Sequence, residues 1–179
     1  MANREALRDL QVRLASRLQA AKSEGLSVSS WLAIEAAGQF YLLPLGHAGE
    51  IFPRSVIQTV PYTQQWFLGV ANLRGGLYGV VDLSAFLGGA PVANKLLAES
   101  ARQDARYIAL NAALEVNSAL LVSRLVGLRS TRNYVRVDQT PDNASTFLGS
   151  VYFDEAGQAW QELNLQALAT ATNFLTIGS

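Results

Sequence analysis

The chain has no cysteine, one histidine (His47) and one methionine among its 179 residues. Without thiols it forms no disulfide, holds no cysteine-ligated zinc and uses no thiol nucleophile. A zinc site would have to add at least three carboxylates to His47, so no metal is expected. Charge is sparse too: 16% of residues are Asp, Glu, Lys or Arg, with 14 basic residues against 14 acidic ones. Releasing counterions from phosphate needs a basic excess, so no nucleic-acid partner is expected. The longest charge-free stretch, residues 55–73, is broken by Gln, Thr, Pro and Asn and does not read as a membrane helix. Arg4, Arg8, Arg13 and Arg17 are spread through the N-terminus and leave no apolar signal-peptide core. These absences set the expectation of a cytoplasmic protein with no direct membrane insertion.

What is present is apolar. Half of the residues are hydrophobic, enough for one domain of this length or for two small subdomains sharing a core. Leu7, Leu10, Leu14, Leu18 and Ala21 recur at helical spacing, and Gly25 stops the pattern. Residues 1–27 therefore read as an amphipathic helical extension. Its stripe lies either on the protein's own core or on a partner, and the sequence leaves both open.

From Ser29 the pattern becomes β-rich. Strands are expected at 31–35 and 40–44 around Ala37-Gly38, then at 50–52, 56–60, 66–73 and 77–83. Further strands are expected at 107–110, 119–122, 126–128 and 134–137. A last hairpin pairs 147–153 with 159–163 across Glu155-Ala156-Gly157-Gln158. Residues 84–87 and 165–171 read as short helices, and 90–105 as a surface loop with helical character. Many short strands with frequent turn signals indicate an all-β fold. Two blocks, roughly 29–89 and 106–164, suggest two barrels within a domain of residues 28–179.

The candidates for catalysis are weak. A Ser-His-Asp arrangement would have to use His47, and no Gly-x-Ser-x-Gly elbow exists. Asp154-Glu155 falls in a turn, and Asp138 and Asp142 flank a loop, so neither pair reads as an acid/base dyad. Gly75, Gly76 and Gly79 are followed by no Gly-Lys-Ser/Thr and no helix start, a poor match to a phosphate loop. No catalytic residue and no cofactor are expected; a small-ligand or hydrolytic barrel using His47 is the remaining alternative.

Residues 66–83 are the most informative segment. Two apolar strands flank Arg74, with Gly75-Gly76 expected to supply the positive backbone angles of a tight turn. Glu50, Arg74 and Asp82 are charges set among apolar strands, where an unpaired charge is costly. Arg74 is expected to pair with Glu50 or Asp82. Such a pair either ties strands together or also presents Arg74 to a partner.

The wording of this segment resembles a known family. Gly69-Val70-Ala71-Asn72-Leu73-Arg74-Gly75 followed by Val80-Val81-Asp82-Leu83 is similar to the signature of the CheW family, the adaptors of bacterial chemotaxis arrays. Phe40-Tyr41-Leu42-Leu43-Pro44-Leu45 with Glu50-Ile51, Val60-Pro61-Tyr62-Thr63, and Trp160 with Leu163 and Leu165 extend the likeness over about residues 29–168. Within the family, the long N-terminal extension most resembles the branch serving chemotaxis-like systems that control type IV pili and twitching motility. A flagellar chemotaxis adaptor is the alternative.

The resemblance implies two SH3-like five-stranded β-barrels around a common core, and a non-enzymatic role. It implies two partners, the cytoplasmic signalling tip of a chemoreceptor and the regulatory domain of a histidine kinase. The receptor helix would lie in a groove between the barrels. Glu50, Val70, Asn72, Leu73, Arg74, Gly75 and Asp82 are the protein-binding residues it implies, lining or supporting that groove. Two positions depart from the family pattern. Gly79 replaces a usual proline, which suggests a less rigid start to the second strand, and Val122-Ser123-Arg124-Leu125 lacks a usual carboxylate.

Overall fold

The computed structural model describes residues 30–95 and 99–179; the leucine-bearing extension expected at 1–27 lies outside them. The hairpin β1 (Ser30–Ala36) and β2 (Gln39–Pro44) turns through Ala37 and Gly38, which have φ of 53° and 90°. Two positive φ values give a turn whose twist matches that of the strands. The Ala37 N–H donates to Ser123 Oγ at 2.9 Å, so the serine that replaces the usual carboxylate anchors this turn. β3 (Ala48–Pro53), β4 (Phe67–Leu73) and β5 (Gly76–Asp82) follow. Three short helices come next: α1 (Leu83–Phe86), α2 (Val92–Lys95) and α3 (Glu99–Asp104).

The second half contains β6 (Arg106–Leu110), β7 (Ser118–Val122), β8 (Arg124–Ser130), β9 (Arg136–Asp138), β10 (Leu148–Phe153) and β11 (Ala159–Leu163). It ends in α4 (Leu165–Thr170) and α5 (Thr172–Leu175). The all-β class and the two SH3-like subdomains are as expected, but the sheets stay open and are unequal. One has six strands in the order β8-β1-β2-β11-β10-β9 and the other five in the order β3-β6-β7-β5-β4. Nor do the sheets divide between residues 89 and 106. The hairpin β1–β2 joins the late strands, and β6 and β7 join the early ones. Two parallel pairings, β2 with β11 and β5 with β7, stitch the halves together.

One apolar core lies between the sheets, with Ile34, Leu43, Val80, Leu83, Tyr107, Ile108, Leu120 and Leu165 among its members. β1 is buried on both faces, which is why its run reads as continuously apolar. Leu32 and Ile34 face the main core, while Trp31 and Ala33 face a second cluster with Leu42 and Trp160. Phe40, Tyr134 and Tyr152 cover that cluster. Both indole N–H groups of this cluster find a carboxylate: Trp31 Nε1 donates to Glu162 at 2.8 Å and Trp160 Nε1 to Asp154 at 3.0 Å. Burial pushes the Asp154 carboxyl up, but donors from Trp160, Gln158 and Ala156 outweigh it and leave its pKa below the ordinary value. Burial raises the Tyr134 phenol to about 12.

Three local expectations differ from the structure. Residues 56–60 form no strand; Gln58 makes a single bridge to Val70, with N–H···O bonds of 2.8 Å in both directions. Prolines at 53 and 61 bound this segment and limit its ladder. The strand expected at 134–137 begins at Arg136, and helix α5 went unread. Gly79 lies inside β5 rather than at a loose start. Its N–H donates to the Asn117 carbonyl at 2.9 Å, and the Phe67 ring occupies the space a Cβ would need.

Candidate functional site

The site is built on the β4–β5 hairpin. The turn sits one residue earlier than Gly75-Gly76: Arg74 and Gly75 take the positive φ values, 49° and 86°, and Gly76 is already in β5. Left-handed backbone is unfavourable for a residue with a Cβ, so the turn needs support. Asn72 Oδ1 provides some by accepting the Gly75 N–H at 2.8 Å.

The Arg74 guanidinium then reaches across to Glu50 on β3, forming an ion pair, and lies over the Phe52 ring 5.8 Å from its centroid. Both charges are open to solvent, with side-chain exposures of 76% for Arg74 and 47% for Glu50. Phe52 also meets Tyr78 of β5, with ring centroids 6.0 Å apart. Because β3 and β4 are the two edges of the five-stranded sheet, these side chains bring the edges together where no backbone ladder does.

Asp82 is not part of that pair. It is fully buried, and its carboxylate is taken by backbone donors: Ala85 N–H at 3.1 Å and Val92 N–H at 3.0 Å on Oδ1, and Ala93 N–H at 3.0 Å on Oδ2. It caps α1 and holds the start of α2 against it. Of the two partners expected for Arg74, geometry selects Glu50, because Asp82 points into the interior.

The other implied residues divide by strand alternation. Ala71 and Leu73 face the core, while Asn72 is exposed and Val70 is half-buried. Leu73 therefore supports the wall from behind. Leu77, directly across from Asn72, is 63% exposed and went unnoticed in the sequence, although its place opposite Asn72 follows once the turn is correctly set. Phe52 was missed as well; only the curl of the sheet puts it under Arg74. Gly69 has φ of 131°, and a Cβ there would sit 2.2 Å from the Gln58 carbonyl oxygen. That close approach lets residues 56–60 run beside β4.

His47 lies in the β2–β3 turn, where its backbone N–H donates to Pro44 O at 3.0 Å. Its Nδ1 is buried and has no hydrogen-bond partner among the described residues. A surface cavity of about 450 Å³ opens elsewhere, between Phe40, Phe86, Phe147, Val151, Gln161 and Asn173. His47 is not in its lining. Among the described residues, no helix is long and apolar enough to cross a membrane.

Comparison with known proteins adds what geometry cannot. Protein PilI of Pseudomonas aeruginosa is 29% identical over 170 residues, covering 92% of this chain and 88% of that protein. The crystal structure of the scaffolding protein TtCheW from Thermoanaerobacter tengcongensis has the same fold. It superposes with a TM-score of 0.62 at 17% identity, covering 81% of this chain and 94% of that one. The model of the CheW-like domain matches residues 30–172, from the first residue of β1 to the first residue of α5. The chain therefore belongs to the family of CheW-like domains.

Proposed function

We propose that this chain is a cytoplasmic, non-enzymatic adaptor that couples the signalling tip of a methyl-accepting chemoreceptor to the regulatory domain of a histidine kinase. The likeness to PilI favours a chemotaxis-like array that controls type IV pili and twitching motility. The observation that carries the reading is the Arg74–Glu50 pair: two solvent-open charges held on a braced wall, beside exposed Leu77 and Asn72. A helix docking there meets apolar surface flanked by a fixed guanidinium, the mixture a helix-in-groove contact uses. Glu50, Val70, Asn72, Arg74 and Gly75 form the wall, and Leu73 and Asp82 hold it from inside.

The test is co-elution of the full chain with a purified receptor signalling hairpin and, separately, with the kinase regulatory domain. Arg74→Glu should weaken the receptor complex and leave circular dichroism and the kinase complex unchanged. Failure of the wild-type chain to bind either partner overturns the adaptor reading. Which kinase a pull-down from the native cell retrieves separates a pilus system from a flagellar one.

A further inference from the structure

An apolar row runs across the six-stranded sheet and ends in solvent. Leu32 of β1 stands opposite Leu43 of β2 and Leu128 of β8, so the three side chains share one face. Leu43 is fully buried and Leu32 nearly so, but Leu128 is 70% exposed. Leu45, two residues after Leu43, is 44% exposed, and its N–H donates to the Ser30 carbonyl at 3.0 Å. On its other side Ser30 pairs with Ser130 of β8. Ser30 thus lies between β8, which carries Leu128, and Leu45 just past the end of β2.

We propose that the leucine stripe of residues 7–18 folds back onto this face and covers Leu128 and Leu45. Residues 1–29 hold four leucines at helical spacing, and Arg8, Asp9, Arg13 and Arg17 fall between them. Such a segment has one face to bury and one to leave in water. The last stripe residue, Leu18, is twelve residues from Ser30, a tether of about 40 Å at full extension. Tethers of this kind give effective concentrations in roughly the millimolar range. At micromolar protein the chain's own stripe therefore outcompetes a second copy for the same surface. The inference is independent of the adaptor reading, because it concerns a contact within one chain.

The absence of native cysteine makes the test direct. In the full chain, Leu14→Cys is combined with Leu128→Cys and mildly oxidised. Two controls accompany it: Arg13→Cys with Leu128→Cys, off the stripe, and Leu14→Cys with Arg129→Cys. Arg129 lies on the opposite face of β8, over the Trp160 ring. The expected result is a monomeric disulfide in the first pair at several-fold higher yield than in either control. Independently, Leu128→Asp should raise hydrogen exchange at amides 7–18. Equal yields in all pairs, or unchanged exchange, overturn the proposal. A disulfide-linked dimer that grows with concentration also overturns it and assigns the face to a second copy. Absence of any cross-link does the same and leaves the stripe to an external partner.

Discussion

Arg74 and Glu50 join opposite edges of one open sheet: Glu50 lies on edge strand β3, and Arg74 at the tip of the hairpin whose β4 is the other edge. With the single backbone bridge between Gln58 and Val70, their contact links edges that a full barrel would join by a continuous ladder. It also fixes where the guanidinium points. Exposed ion pairs add little to folding, in general about 1 kcal/mol or less, so the value of this one lies in orientation.

Separating orientation from stability needs a charge swap. Arg74→Glu places like charges against each other and should lower stability by at most about 1 kcal/mol, read by urea denaturation. The double variant Arg74→Glu with Glu50→Arg should restore that stability while receptor binding stays lost. Recovery of binding along with stability would show that the pair matters only as a brace.

Asp82 should behave in the opposite way. Asp82→Ala removes the acceptor of the buried Val92 N–H and of the part-buried bonds from Ala85 and Ala93. A loss of about 1–3 kcal/mol is expected, the cost of one unsatisfied buried donor, because water can reach the donors that are only part-buried. Asp82→Asn, which keeps one acceptor oxygen, should lose less. Denaturation midpoints of both variants at unchanged slope check this.

Gly69→Ala tests the brace beside β4. The added Cβ meets the Gln58 carbonyl, and the backbone angle is one that side chains rarely adopt. Thermal stability should fall, and exchange at the Gln58 and Val70 amides should rise as their mutual bridge opens. Protection of both amides equal to wild type would mean that the segment adjusts without cost.

Tyr134 makes the fold sensitive to alkali. Its phenol titrates near 12 in the folded state because burial disfavours the phenolate, against 10.0 when unperturbed. Between those two values the unfolded chain releases a proton that the folded chain keeps. The stabilisation is complete below pH 10 and is lost as pH climbs toward 12. Tyr134→Phe should flatten that loss in denaturation midpoints measured against pH. Near neutrality it should leave stability equal or slightly higher, because it removes a buried hydroxyl that has no hydrogen-bond partner among the described residues.

Much of this was legible from local pattern. The hairpin at Ala37-Gly38, the strands read at 66–73 and 77–83 and the helical turn read at 84–87 follow from glycine placement and apolar runs, each within one residue of the observed element. The turn at Arg74 was misplaced by one residue, because two adjacent glycines advertise a reversal more strongly than an arginine in left-handed backbone. Residues 56–60 carry strand-forming residues but lack a partner of matching length, a fact that only the packed neighbouring segments supply. The Glu50–Arg74 pair was one of two options, and the choice depended on which way Asp82 points.

The sequence by itself determined the class of this protein and its family, because β-periodicity, turn residues and the Asn-Leu-Arg-Gly wording are local properties written in consecutive residues. Only the tertiary structure decided how the sheets share strands, which carboxylate meets Arg74, and that Leu73 and Asp82 face inward. Those outcomes depend on parallel pairings between residues tens of positions apart and on the curl of an open sheet. Neither leaves a mark in the spacing of neighbouring residues.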